Sequence, residues 1–378
     1  MIEGWFGIIV VYSEFMQLFT TKYDEILKKV DSINPLKYAV TRNFKNGHVT
    51  KLSPYISRGV ISTRFIYEKL VEKGFNLKKC EKFIQELAWR DFWQQIWVAK
   101  GSLINEDLKR PQEDVNDYKI SESLAQAKTG INSVDDEINN LYDNGYMHNH
   151  MRMYVASIAT NVAKSHWKTP AKWMYYHLLD GDWASNALSW QWVAGSNSNK
   201  KYYANQDNIN KYFKSNQKNT FLDNSYEFIT SMNIPNAVSG KIDLKLTSDF
   251  QNNDEIKLDN SLPTLIYNYY NIDPNWRKNE KANRVLIFEP KIFLEYPVSK
   301  KCLDFSINLS KNIKDIQIFF GDIDLLKSKY GVSKFIFKEH PLNSHYKGEE
   351  DERDWLFKIE GEYLSFFKYW NKIRKKLI

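Results

Sequence analysis

Apolar residues recur three and four apart over residues 23–30, 83–97 and 151–162, a period that predicts three helices in the first half of the chain. In the second of them Glu86, Trp89, Arg90, Trp93 and Trp97 share one continuous face. In the third, Asn149, Arg152 and Met153 share another. Asp180-Gly181-Asp182 predicts the end of one helix and the start of the next, because glycine permits the turn and the second aspartate can cap. Ser53-Pro54 predicts a further start, with serine at the cap and proline at the first helical position.

The pattern changes past residue 260. Residues 284–289, 316–320 and 334–338 are short apolar runs rich in β-branched and aromatic residues, and a helical stretch at 299–313 separates the first two. That strand–helix–strand plan predicts a small parallel sheet. Residues 355–377 predict an amphipathic helix whose apolar side, including Leu356, Ile359, Phe366, Trp370 and Ile373, covers the sheet. Residues 101–144 read as a polar connector. Residues 236–260 read as a linker, since so little apolar surface cannot offset the entropy of ordering. The fold class is therefore mainly α: a helical region over 1–235, the linker, and a small α/β unit over 261–378.

A length of 378 residues agrees with about two domains. The aromatic content changes the picture more. With 12 Trp, 23 Tyr and 22 Phe, the plain reading is a large aromatic core, and the sharper one is a site for flat ligands or flipped bases, both read by stacking. A net charge of +7 suits a polyanionic partner without requiring one. The two cysteines, Cys80 and Cys302, exclude a disulfide scaffold, a cysteine-rich zinc site and a four-cysteine iron–sulfur cluster, and fit a reducing compartment. The apolar run at 8–11 follows Glu3 rather than a basic region, and no run approaches membrane-spanning length. The expectation is a soluble cytoplasmic protein with no membrane partner. His148, His150, His166 and His177 match no metal-ligand spacing, so no metal is expected.

Arg152 and Asp180 predict an ion pair beside a polar, partly buried ligand, because an unpaired buried charge costs several kcal/mol or neutralises itself. On spacing alone an ordinary core salt bridge is the better account, and a tryptophan stripe is usually core. The helix start at Ser53 offers backbone N–H groups to a pyrophosphate, although most capped helices hold no ligand.

Resemblance overturns the plain readings. Tyr146-Met147-His148-Asn149-His150-Met151-Arg152-Met153, then Asp180-Gly181-Asp182-Trp183-Ala184-Ser185-Asn186, then Trp190-Gln191-Trp192 resemble the flavin site of the photolyase and cryptochrome family. That signature runs roughly W-M-H-N-R-x-R-M, then D-G-D-x-A-x-N-x-x-x-W-Q-W. Phe83-Ile84-Gln85-Glu86-Leu87-Ala88-Trp89-Arg90 is similar to the family's W-x-N-E-L-x-W-R, with Phe83 and Gln85 replacing its Trp and Asn. Val49-Thr50-Lys51-Leu52-Ser53-Pro54 is similar to T-S-R-L-S-P, with Val49 and Lys51 replacing its Thr and Arg. Lys128-Thr129-Gly130 and Val134-Asp135 echo a further family turn that has lost its proline.

The resemblance implies an all-helical, photolyase-type FAD-binding domain over 1–235, followed by the small α/β unit. It implies FAD as cofactor, its diphosphate held by Val49, Thr50, Lys51, Leu52 and Ser53 with Tyr38 alongside. Arg90 would hold the flavin, Arg152 with Asp180 would flank its ring, Gly181 and Asp182 would meet the ring or ribitol, and Asn186 would face N5. The partner implied is ultraviolet-damaged DNA, approached by Arg42. A flipped lesion would sit between Trp89 and Trp192, bonded by Glu86 and Asn149, which also borders the cofactor, and packed by Met153. Trp190 and Trp167 match the inner and middle members of the family's electron relay. The outer position falls near Asp114, with Tyr118 close by, so the third step is missing or rerouted.

The function implied is light-driven splitting of cyclobutane pyrimidine dimers by electron transfer from reduced FAD. The alternative from another class is a blue-light photosensor without repair. Typical members carry an α/β antenna domain ahead of the flavin domain; here an α/β unit follows instead, without a phosphate-binding glycine motif. Whether an antenna pigment binds, and the oligomeric state, stay open at this point.

Overall fold

The computed structural model describes residues 18–250, 255–359, 361, 363 and 365–377. The apolar run at 8–11 lies outside them. Helix α1 (Tyr23–Asp31) buries Ile26 and Val30, with acids in its first turn and lysines in its last, as the helix dipole favours. Helix α2 (Pro35–Thr41) starts at Asn34, whose side chain accepts the Lys37 N–H at 3.0 Å. The short α3 (Ser53–Ser57) carries Pro54 in its first turn, and α4 (Thr63–Glu72) is capped by Ser62.

The longest helix among the described residues is α5 (Glu81–Lys100), and helices from both ends of the chain pack against it. The connector at 101–144 is not merely polar loop. Its second half folds as α6 (Asn132–Asn144), which buries Val134, Ile138 and Leu141 and ends at Gly145 with φ 65°. Glycine is required there: the backbone is left-handed, and a Cβ would meet the Leu179 side chain at 2.6 Å.

The helix predicted over 151–162 is interrupted. Helix α7 spans Asn149–Ser157, and Ile158–Val162 continues it with wider π winding. The chain here is buried all round, and Asn161 turns its amide to the Val193 and Tyr202 carbonyls at 3.0 and 2.7 Å. Helix α8 (Lys168–His177) leads into the Asp180 turn, and Asp182 caps α9 (Trp183–Ala194) by accepting the Ser185 N–H at 2.7 Å.

The helical part carries one short ribbon, β1 (Ile120–Ser121) antiparallel to β2 (Lys241–Ile242). Five parallel strands come after it: β3 (Thr264–Tyr267), β4 (Asn283–Phe288), β5 (Ile316–Phe320), β6 (Phe335–Lys338) and β7 (Glu349–Asp351), in the order β5–β4–β3–β6–β7. The central strand, β3, and the edge strand, β7, are the two that the apolar pattern did not reveal. The chain is thus a mixture of helices and a parallel sheet: the expected sheet is present with five strands rather than three, and the ribbon keeps the first part from being all helix.

Along β3 the side chains alternate. Leu265 and Tyr267 join the core shared with the helices, whereas Ile266 joins a second cluster with Val285, Ile287, Phe319 and Leu326. Helix α10 (Lys300–Ser310) docks on α8 where the Ser299 N–H donates to the Tyr176 carbonyl at 2.9 Å. Arg58, fully buried, donates to the Gly181 carbonyl and lies 3.5 Å over the Tyr269 ring just past β3. Gly59 lets the two backbones meet: a Cβ there would sit 2.4 Å from the Tyr270 carbonyl oxygen.

The C-terminal helix corrects the sequence reading in length and in partner. Helix α11 covers Phe366–Arg374 only, and it packs on α5 instead of capping the sheet. Phe366 stacks on Trp89 at 3.5 Å and 9°. Amphipathic spacing says that one side is buried, not against what.

Candidate functional site

A cavity of about 420 Å³ opens among the loop before α3, one face of α5, the start of α7 and one side of α9 along its length. Tyr38, Val49, Thr50, Lys51, Ser53, Glu86, Trp89, Arg90, Asn149, Arg152, Met153, Asp180, Asp182, Asn186, Trp190 and Trp192 all line it. Four further sequence candidates do not. Leu52 is buried beneath the loop, and Gly181 turns its carbonyl to Arg58. Arg42 sits outside and pairs with Glu86, and Trp167 is fully buried elsewhere.

Two ion pairs form the polar wall. Arg152 donates from Nη2 to both Asp180 oxygens, at 3.0 and 2.9 Å, and from Nε to the Met147 carbonyl at 2.9 Å. The Asp180 side chain is only 3% exposed. Burial alone would raise its carboxyl, but the charge and hydrogen bonds of Arg152, with Ser53 and Arg90, hold it below its ordinary range. Arg90 donates to Ser57 Oγ at 2.8 Å and lies 3.8 Å from Asp182. Ser57 in turn donates to the Asp180 carbonyl at 2.8 Å, so both halves of the Asp180 turn are tied to α3 and α5. Gln94 completes the network by donating to Asp182 Oδ2, a contact that sequence reasoning missed because Gln94 lies off the aromatic face of α5.

Lys51 holds a left-handed backbone, φ 52°, in the loop on the cavity wall. A lysine gains nothing intrinsic from that conformation, so the surroundings impose it. Asn186 donates its amide nitrogen to the Ala171 carbonyl at 2.8 Å, which leaves its oxygen as the group available to accept from the cavity.

The other end of the cavity is aromatic. Trp89 and Trp93 lie 5.2 Å apart, and Trp192, 38% exposed, stands at the mouth against Tyr202. Glu86 sits between two cations, Lys82 at 2.9 Å and Arg42 at 3.4 Å. Ser185, Ser189 and Val193 also line the wall. Their spacing of four on the helix of Asn186 and Trp190 was a signal open to the sequence.

Trp167 donates Nε1–H to Asp107 Oδ1 at 2.7 Å. His166 lies 3.4 Å from the same carboxylate, and its ring carries Tyr118 stacked at 4.8 Å. Tyr118 is 68% exposed, so an aromatic track leads from buried Trp167 to solvent. Asp114, near which the resemblance put an outer relay member, is paired with Lys201 at 2.7 Å.

Among the described residues no group of three or more His, Cys, Asp or Glu side chains gathers as a metal centre would, and no helix is long and apolar enough to cross a membrane.

Comparison with known proteins bears on the same elements. Residues 83–238 match the family model described as the FAD binding domain of DNA photolyase, a span holding α5, α7 and α9 but neither the loop at 49–53 nor the sheet. The chain is 30% identical over 161 residues to the deoxyribodipyrimidine photo-lyase of Alkalihalophilus pseudofirmus, covering 42% of this chain and 34% of that protein. It is 33% identical over 169 residues to cryptochrome DASH of Danio rerio, covering 42% and 32% respectively. The solved structure of a bacterial class III photolyase from Agrobacterium tumefaciens overlays with TM-score 0.45 and 27% identity, over 53% of this chain and 44% of that one. The chain thus spans about a third of the length of those two curated relatives.

Proposed function

The chain belongs to the photolyase and cryptochrome family and its cofactor is FAD, and from that premise we propose that it is a light-driven DNA repair enzyme acting on cyclobutane pyrimidine dimers. The observation that carries the reading is that one cavity has a polar ion-paired wall and a tryptophan-lined mouth. The first suits a cofactor and the second a flat lesion.

The residues present fit FAD. Val49, Thr50, Lys51 and Ser53 would hold its diphosphate, with Tyr38 alongside and Leu52 anchoring the loop from the core. Arg90, Arg152, Asp180 and Asp182 would fix the ring and ribitol, with Gly181 serving the turn between the two acids. Held there and reduced, FAD would supply the light-driven one-electron chemistry by which the cyclobutane ring is split, the electron returning to it. Asn186, with its nitrogen already engaged on Ala171, would offer oxygen to a protonated ring nitrogen and so favour the reduced cofactor.

The chain's own work at the lesion is binding and water exclusion. Trp89 and Trp192 would stack the flipped pyrimidines, Glu86 and Asn149 would bond their edges, Met153 would pack, and Arg42 would meet the DNA backbone while steadying Glu86. Damage lowers the cost of flipping, which itself selects the lesion. Trp190 and Trp167 would carry electrons to oxidised cofactor, with Tyr118 as the way out. In this reading the helical region over 1–235 holds the chemistry, and the α/β unit over 261–378 buttresses it.

The rival, a photosensor, draws on the likeness to cryptochrome DASH. Binding separates the two. A repair enzyme loaded with FAD prefers a thymine-dimer oligonucleotide over the undamaged strand, and Glu86→Ala loses that preference. Equal binding of both strands by the wild type contradicts repair and favours the sensor.

A further inference from the structure

The C-terminal stretch meets α5 at several points along its length. Arg353 Nη1 donates to Gln94 Oε1 at 2.5 Å, and the Leu356 N–H donates to the buried Asp91 carboxylate at 2.6 Å. Phe366 stacks on Trp89 at 3.5 Å, and Arg374 pairs with Glu81 at 2.9 Å. Between them Tyr369 packs on Phe92 at 5.7 Å, so the tail holds α5 at several points from Glu81 to Gln94.

Asp91 and Gln94 lie off the aromatic face of α5, so the strap grips the helix from behind while Glu86, Trp89 and Arg90 face the cavity. Phe366 does not line that cavity; it covers the side of Trp89 turned away from it. Phe92 edges onto Phe366 at 5.7 Å, and Phe366 is itself only 3% exposed, so the ring is packed in place. A tryptophan in an open mouth has several rotamers; one backed by a parallel ring at van der Waals distance has far fewer. The Arg353–Gln94–Asp182 chain reaches the polar wall in the same way.

We propose that Phe366 is a positioning residue for Trp89, and that the C-terminal strap fixes the lesion-binding end of the cavity. This rests on the repair reading. Ordering Trp89 in advance removes that cost from binding, so the effect falls on damaged DNA and not on FAD.

The test uses the full chain loaded with FAD. Phe366→Ala weakens binding of a thymine-dimer oligonucleotide by about tenfold, the equivalent of a lost aromatic pair. Binding of undamaged DNA, flavin content and the flavin absorption spectrum stay as in the wild type. With reduced cofactor, KM for the dimer rises while the rate at saturation holds, and Phe366→Tyr restores both values. Phe366→Leu, which keeps bulk and removes the flat face, gives an intermediate loss in a protein that folds. If Phe366→Ala matches the wild type while Trp89→Ala loses the dimer preference, the positioning role is wrong and the lesion pocket stands. If Trp89→Ala keeps the preference, the lesion pocket falls and this proposal with it. A uniform loss of flavin, stability and affinity for both DNAs overturns it in favour of a purely structural strap.

Discussion

Arg152→Ala tests the polar wall most severely. Asp180 would keep its buried position, with a side chain 3% exposed, and lose the guanidinium that contacts both its oxygens. Breaking a buried pair by removing one partner costs about 3–5 kcal/mol. The lower end applies, because Ser53 and Arg90 still face the carboxylate and Arg152 is itself partly solvated. For a chain of this length about 3 kcal/mol corresponds to a fall in Tm of roughly 4 °C.

The pH dependence gives the sharper signature. In the wild type the Asp180 carboxyl is held below its unfolded value, so the pair's contribution is complete above that value and is lost as pH falls through the folded one. In the variant only burial remains dominant, and it raises the carboxyl, so Asp180 takes up a proton and stops being an unpaired charge. The gap between the two proteins should therefore be large near about pH 7, narrow as the variant's Asp180 takes up its proton, and close only below about pH 4, where the wild-type carboxyl titrates too. Thermal melts across that range measure it. The double variant Arg152→Met with Asp180→Asn should lose less than the two single losses summed. A gap below about 0.5 kcal/mol that does not change with pH would refute the reasoning, since it would mean that Asp180 is solvated or otherwise neutralised.

Asp91 carries a pH signature of the opposite sign. Burial pushes its carboxyl up to about 6, opposed by the Leu356 N–H, Thr63 and the nearby Arg353 and Arg90. The folded chain thus holds a proton that the unfolded chain has lost, and stability falls by about 3 kcal/mol as pH rises between the two values; urea titrations should find that slope gone in Asp91→Asn. Trp190→Phe should slow photoreduction of oxidised FAD while sparing repair once the cofactor is chemically reduced, and equal photoreduction would sink the relay. Tyr118→Phe should leave the first electron step intact and shorten the life of the charge-separated state in transient absorption; an unchanged lifetime would end the aromatic exit through His166.

Much of the site was legible because it lies on helices. The period of α5 put Glu86, Trp89 and Arg90 on one face, and that of α7 aligned Asn149, Arg152 and Met153. The Asp180 turn announced itself through a glycine and a capping acid. What escaped was set by distant partners. The strand β3 has only four residues in an Asn- and Tyr-rich stretch, and sheet neighbours on both sides fix it rather than local preference. The π winding after Ser157 answers to distant backbone carbonyls, at Val193 and Tyr202, that the Asn161 amide reaches. Helix α11 showed an apolar side at once, yet nothing local says that Phe366 meets Trp89. Arg58, a lone arginine after α3, carries no pattern that points to Tyr269.

The most direct measurement of the central claim is repair itself. The purified chain, loaded with FAD and chemically reduced, is given a thymine-dimer oligonucleotide and divided between blue light and darkness. Loss of dimers in the light sample alone is the predicted result. Bound, photoactive FAD with dimers untouched in both samples, on single- and double-stranded DNA alike, would contradict it and leave the photosensor as the better account.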